Sequence, residues 1–137
     1  VRVDRVQHKF LIWLLTHTYS GHTVSLSYDS LLSHFKLPSL AQRRAQHDIL
    51  FIRNVVNGKV DSRTLLESFP LHVPPRSTRT SYLFAIPRAR VRTVEAGLFC
   101  RTVKAVNMFL ANNPRSDIYC DTFSVFRAQV VKHIFNL

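Results

Sequence analysis

Apolar residues recur at helical spacing along most of the chain, so the pattern predicts a mainly α-helical fold of five to six helices. In the first segment, Val1 to Thr18, a stripe of Val3, Val6, Phe10, Trp13 and His17 is widened by Leu14. Arg2, Arg5 and Lys9 form a second stripe on a different face. Ser20-Gly21 then gives a turn signal. A second, short helix is expected from Ser27, which can cap it, with Leu26 and Leu31 at hydrophobic-staple positions. Pro38 disfavours helix at Leu37 and sets its end.

The third helix has the clearest boundaries. Ser39-Leu40-Ala41-Gln42 is a capping-box pattern, and Asn57-Gly58 supplies a left-handed stop. Between them Ala41, Ala45, Ile49, Ile52 and Val56 make an apolar stripe, while Arg43, Arg44, Gln46, His47 and Arg53 lie mainly off it. Asp61 can cap a short fourth helix carrying Leu65, Leu66 and Phe69.

Pro70, Pro74, Pro75 and Pro87 make helix unfavourable from Pro70 to Arg92, and Ser81 to Ile86 is expected as a short strand. A fifth helix is expected over roughly Glu95 to Leu110, carrying Phe99, Val103, Val106 and Leu110 and ended by Asn112-Asn113-Pro114. A sixth is expected from about Ser116 to Phe135, with Tyr119, Phe123, Phe126, Val130 and Ile134 on its core face. The chain is therefore read as one domain over 1–137 in three parts. These are a helical part at 1–60, a short helix plus a Pro/Arg-rich extended or β excursion at 61–94, and a helical pair at 95–137.

Composition narrows the class. Ten Phe and a 46% apolar content exclude a disordered basic tail, and three Gly with six Pro exclude collagen-like chains. No uninterrupted apolar run of about 18 residues occurs, so no membrane partner is expected. A soluble globular domain remains, with a net charge of +11. The first residue is Val1, which suggests a segment of something longer.

Fourteen of the 19 basic residues are Arg, whose planar fork pairs bidentately with phosphate and stacks on bases. The 27 residues from Ser68 to Val94 contain no acid and five Arg: Arg76, Arg79, Arg88, Arg90 and Arg92. The last three alternate, so an extended backbone would place them on one face. Their mutual repulsion has no local compensation, which points to phosphate contact. Tyr82 and Phe84 lie nearby, and docking into the helical core is the simpler expectation for both. Arg43-Arg44 is a second, weaker basic candidate.

Catalytic chemistry is hard to assemble. No Cys-x-x-Cys or His-Glu-x-x-His spacing occurs, and His8, His34 and His47 read as surface or helix-face residues. Cys100 and Cys120 are expected as reduced, largely buried thiols. Asp117 and Asp121, four apart, fit helix-start residues better than a metal-binding pair. The eight acids are scattered, so no two-metal carboxylate cluster forms, and three Gly cannot build a phosphate loop.

Leu37-Pro38-Ser39-Leu40 followed by Arg43-Arg44 resembles a recurrent segment downstream of the polymerase core in jockey-like non-LTR retrotransposon reverse transcriptases. Val3-Asp4-Arg5-Val6-Gln7-His8-Lys9-Phe10-Leu11 is similar to the helix that precedes it there. The order of later landmarks also fits: Val73-Pro74, Arg76 to Arg79, Arg90 to Thr93, Asn107 and Asp121-Thr122-Phe123. The resemblance covers essentially the whole chain and departs in three places: Cys100 and Cys120 lack partners for the Cys-Cys-His-Cys knuckle of some classes, Val106 precedes the helical Asn, and Asp4 stands where Glu is commoner.

The resemblance implies the thumb's end and following region of an RNA-directed DNA polymerase. Such a segment would hold RNA template or RNA–DNA duplex and neighbour the upstream polymerase domain of the same chain. It implies an intracellular setting, in cytoplasm and nucleus. The Asp-Asp catalytic motif is absent, so the segment is not expected to polymerise alone. Its Mg2+ would belong to the absent core, and no cofactor is expected here. Carried over by motif, Arg43, Arg44, Arg76, Arg79, Arg90 and Arg92 are candidate nucleic-acid contacts, to which the charge pattern adds Arg88. Ser39 would be a helix cap, and Asn107 a structural or contacting polar residue. Two other readings stay open. One is a structural module docking on the polymerase core or another protein. The other is a helix-turn-helix DNA-binding regulator built on helices two and three.

Overall fold

A computed structural model describes residues 2–18, 27–73, 82–88, 90–91 and 97–135. The fold is mainly α, with six helices among the described residues: α1 (Arg2–Thr18), α2 (Tyr28–His34), α3 (Leu40–Val56), α4 (Arg63–Glu67), α5 (Leu98–Asn112) and α6 (Phe123–Phe135). None of them is long and apolar enough to cross a membrane. The chain divides into two compact units, Val1–Arg43 and Arg44–Leu137.

The first unit is built on α1 and α2. Leu11 and Leu15 of α1 bury against Leu31 and Leu32 of α2, with Tyr28 and Phe35 packed alongside. This reverses the expected orientation of α1. Val3, Val6, Phe10 and Trp13 lie on an exposed face, with Val6 68% and Trp13 53% accessible. The expected stripe is real in spacing, but Leu11 and Leu15 repeat four apart as well, and their face is the one α2 covers. Ser27 caps α2 as expected, accepting from the Ser30 N–H at 3.3 Å, while Leu26 lies outside the described residues. Gln7 Oε1 accepts both the Tyr28 hydroxyl (3.1 Å) and Arg43 Nη2 (3.0 Å), joining α1, α2 and the first turn of α3.

The capping box at the start of α3 forms in both directions. Ser39 Oγ accepts from the Gln42 N–H at 3.2 Å, and Gln42 Oε1 accepts from the Ser39 N–H at 2.8 Å. Two otherwise orphaned donors are satisfied this way. The helix ends at Val56 as expected, with Gly58 at φ +67°, a conformation that costs a glycine nothing. Asn57 does more than stop the helix. Its Nδ2 donates to Arg53 O (2.8 Å) and to Ile118 O (2.9 Å), tying the end of α3 to the loop before α6.

The second unit packs around Ile49, Ile52 and Val55 of α3, Val103, Val106 and Phe109 of α5, and Phe126 and Val130 of α6. Three expectations need correction here. Ser62, not Asp61, caps α4, because its hydroxyl is the one that reaches the Leu65 N–H. Residues 116–121 form turns, not the first turns of the last helix, which begins at Phe123. Asp117 causes this: its carboxylate takes up the Tyr119 and Cys120 N–H groups locally, and Ile118 rather than Tyr119 enters the core. Arg53 is the third. It was expected on the polar side of α3, yet only 4% of it is accessible.

The expected strand at Ser81 to Ile86 reduces to one antiparallel bridge between Leu71 and Phe84, and Ser81 itself lies outside the described residues. The His72 N–H donates to Leu83 O and the Ala85 N–H to Pro70 O, both at 2.9 Å. Phe84 is 1% accessible and sits in the main core, whereas Tyr82 stays exposed. The backbone of Phe84 is satisfied by one side chain. Asn107 Oδ1 accepts its N–H at 3.1 Å, and Asn107 Nδ2 donates to its carbonyl at 2.8 Å. A buried backbone must find such partners, and with no second strand here the amide supplies both.

Replacing Asn107 with Ala leaves a buried N–H and a buried C=O unpaired. The expected loss is about 3 kcal/mol in the urea-unfolding free energy. A loss under about 1 kcal/mol would mean that water replaces the amide.

Candidate nucleic-acid interface

Of the seven Arg singled out by the sequence, Arg43, Arg44, Arg88 and Arg90 are described and exposed. Arg76, Arg79 and Arg92 lie outside the described residues. Arg43 is partly engaged through its bond to Gln7. Among the described residues no ion pair holds Arg44, Arg88 or Arg90. Arg88 and Arg90 follow the Phe84 clasp by four and six residues, and both are exposed. Asn107 is buried, and both its polar atoms are occupied by Phe84, which gives it a structural role.

Four of the acids are held by neighbouring groups. Asp48 is buried on α3 and receives Arg101 of α5 bidentately, Nε to Oδ2 at 2.6 Å and Nη2 to Oδ1 at 3.1 Å. That hydrogen bond raises the Arg101 pKa above its ordinary value, with burial opposing it. Glu67 pairs with Arg63 one turn away at 2.7 Å. Asp117 Oδ1 accepts from the N–H groups of Tyr119 (2.8 Å) and Cys120 (3.1 Å), which together hold its carboxyl below the usual carboxylate range. Asp121 Oδ2 in turn accepts the Asp117 N–H at 3.0 Å. These two carboxylates therefore organise a turn and present no free metal-binding pair. No group of three or more His, Cys, Asp or Glu that could hold a metal occurs among the described residues.

Both cysteines are unpaired. Cys100 is buried as expected, but Cys120 is exposed. The Cys120 thiol is pushed up chiefly by its hydrogen bond to Asp117 and then by that carboxylate's charge.

The second unit also carries an open groove of about 460 Å³ between α3 and the start of α6. Its apolar part is Leu50, Phe51 and Phe123, and its polar part is Gln46, His47, Asn54 and Arg127. The α3 members recur at four-residue spacing, as do Phe123 and Arg127 on α6, so each helix contributes one face. The Lys59 ammonium stands 5.0 Å from the centre of the Phe123 ring, and the Arg53 guanidinium 5.5 Å from it. Arg53 also lies 5.3 Å from the Phe126 ring and donates through Nη2 to Asp121 O. Aromatic faces attract such cations, which helps to hold a guanidinium inside this core. The sequence did not mark the groove, because its residues are divided between two helices some 70 positions apart in the chain.

Compared with known proteins, the chain matches no family profile, no curated sequence and no solved structure.

Two outcomes are expected from this geometry. Arg101→Ala leaves the Asp48 carboxylate buried without its partner. The half-exposed position of Arg101 softens the penalty, giving about 2 kcal/mol of destabilisation in denaturant titration. Asp117→Asn keeps an acceptor for the turn but removes the charge facing Cys120. The Cys120 pKa then falls, and alkylation of Cys120 at mildly alkaline pH accelerates by about threefold or more. An unchanged alkylation rate in D117N would exclude the carboxylate as the controlling group.

Proposed function

We propose that this chain is a nucleic-acid-holding accessory region of a retroelement RNA-directed DNA polymerase, gripping RNA template or RNA–DNA duplex through Arg–phosphate contacts. The observation that carries the reading is a set of exposed arginines with no acid paired to them among the described residues. Asp48, Glu67, Asp117 and Asp121 are engaged by neighbouring groups, whereas Arg44, Arg88 and Arg90 stand exposed with no acid against them among the described residues. The chain carries a net charge of +11, and these three exposed arginines stand where phosphate can reach them. The resemblance to the post-polymerase segment of jockey-like elements supplies the setting. Contacts of this kind position a backbone and carry little base information.

One observation favours a second reading, docking on a polymerase core or another protein. The α1 face bearing Val3, Val6, Phe10 and Trp13 is exposed, and contiguous apolar surface of this kind often meets a protein partner. Under that reading, association survives high salt.

Binding of the full chain to single-stranded RNA and to an RNA–DNA hybrid, followed by fluorescence anisotropy across a salt series, tests the proposal. Replacing Arg44, Arg88 and Arg90 together with Ala should flatten the dependence of log affinity on log salt by about 2 units and weaken binding at every salt concentration. An unchanged slope and affinity would overturn it.

A further inference from the structure

We infer that the groove between α3 and α6 is a subsite for one unpaired nucleotide of a bound single strand. This inference rests on the nucleic-acid reading above and adds to it a place where a base is held. It is distinct from the phosphate contacts of Arg44, Arg88 and Arg90, since none of those residues lines the groove.

The chemistry of the lining supports that occupant. Leu50, Phe51 and Phe123 offer an apolar, largely aromatic floor, and no acid contributes to the groove. A base is an apolar plate with polar edges, and aromatic surfaces hold it without regard to sequence. The volume, about 460 Å³, lies within the usual range for a small-molecule site and accommodates a nucleotide.

Positive charge gathers at one end. Arg127 follows Phe123 by one helical turn on α6 and is exposed. Lys59 lies over the Phe123 ring. Arg53 lies against the same ring from within the core, with no ion pair among the described residues. Its Nε and Nη1 are enclosed and make no hydrogen bond. An unneutralised guanidinium in a low-dielectric interior projects its field further than a surface one and favours an anion beside it. The phosphate therefore belongs beside Phe123, with the base on the Leu50 and Phe51 floor within reach of Asn54. An apolar peptide would gain nothing from this cluster.

Asn54 supplies the independent observation. It lines the groove, yet its side-chain Oδ1 is enclosed and without a hydrogen-bond partner. A buried acceptor left unpaired is unfavourable, and such groups in native structures call for an explanation. The terminal torsion of an Asn side chain is soft, so its amide can turn toward a groove ligand. A base edge carries the N–H donors and ring acceptors that such an amide pairs with, as does Gln46 on the preceding turns.

The test compares the full chain and its Asn54→Leu variant on a short single-stranded oligouridylate and on a blunt RNA duplex of equal length. The variant removes an unpaired buried acceptor without changing charge, so its thermal stability should hold or rise. The single-strand over duplex affinity ratio should fall about tenfold in N54L, a result that a purely structural asparagine would not give. Arg127→Gln should lower the same ratio, while Arg44→Ala should weaken both probes alike. An unchanged ratio in N54L and R127Q, with wild-type binding intact, overturns the groove and leaves the phosphate-gripping reading standing. Failure of the wild-type chain to bind either probe overturns both.

Discussion

The side chain of Asn107 holds a place that a neighbouring strand fills in other folds. Phe84 belongs in the core on hydrophobic grounds, and it carries its own N–H and C=O inward with it. A helical domain has no sheet ladder to offer them. A carboxylate could accept but not donate, and a hydroxyl could not reach both groups with separate atoms. A primary amide has one acceptor and one donor at the spacing of a backbone pair, and Asn107 on α5 presents both. Two further bonds, from His72 to Leu83 and from Ala85 to Pro70, continue the clasp on either side. Pro70 needs no acceptor there, because it has no N–H to satisfy.

From that fixed point the path to function is short in sequence. Arg88 follows Phe84 by four residues and Arg90 by six, and both are in water. The chain leading to them is held by the core at Phe84, so their charges are tethered close to a fixed point. An Arg whose backbone is already ordered loses less entropy on meeting phosphate than one on a free tail. The same clasp explains how a proline-marked, acid-free stretch joins a helical fold at all. Phe84 provides the burial, and the stretch's described arginines, Arg88 and Arg90, remain exposed.

Signals confined to one or two turns of chain were legible in the sequence. The Ser39/Gln42 box, the Ser27 cap, the Asn57-Gly58 stop and the Val103/Val106 stripe depend on near neighbours alone, and the structure has each of them. What was not legible depended mostly on distant residues, and at Asp61 and Asp117 on which of several local bonds forms. α1 has two apolar faces, and periodicity cannot say which one α2 covers; Leu11 and Leu15 are buried while the longer stripe is not. Arg53 reads as polar surface until Phe123 and Phe126, far along the chain, close over it. Asp117 looks like a helix-start residue, but its carboxylate closes a turn of its own and delays α6 to Phe123. The groove was invisible for the same reason, since no local window contains both Asn54 and Arg127.

Arg53 also bears on how the excess charge is organised. A buried cation is costly unless something replaces its hydration. Here the replacement is incomplete: one carbonyl bond, two ring faces and two enclosed nitrogens with nothing to donate to. The acids able to neutralise it are engaged elsewhere, Asp48 by Arg101 and Asp121 by the turn it closes. Arg53 thus differs from the surface arginines, whose fields water largely screens. Its charge lies behind Phe123, which lines a groove that carries amides, aromatic rings and no acid. If the proposed nucleotide binds there, its phosphate meets a cation whose desolvation cost folding has already met.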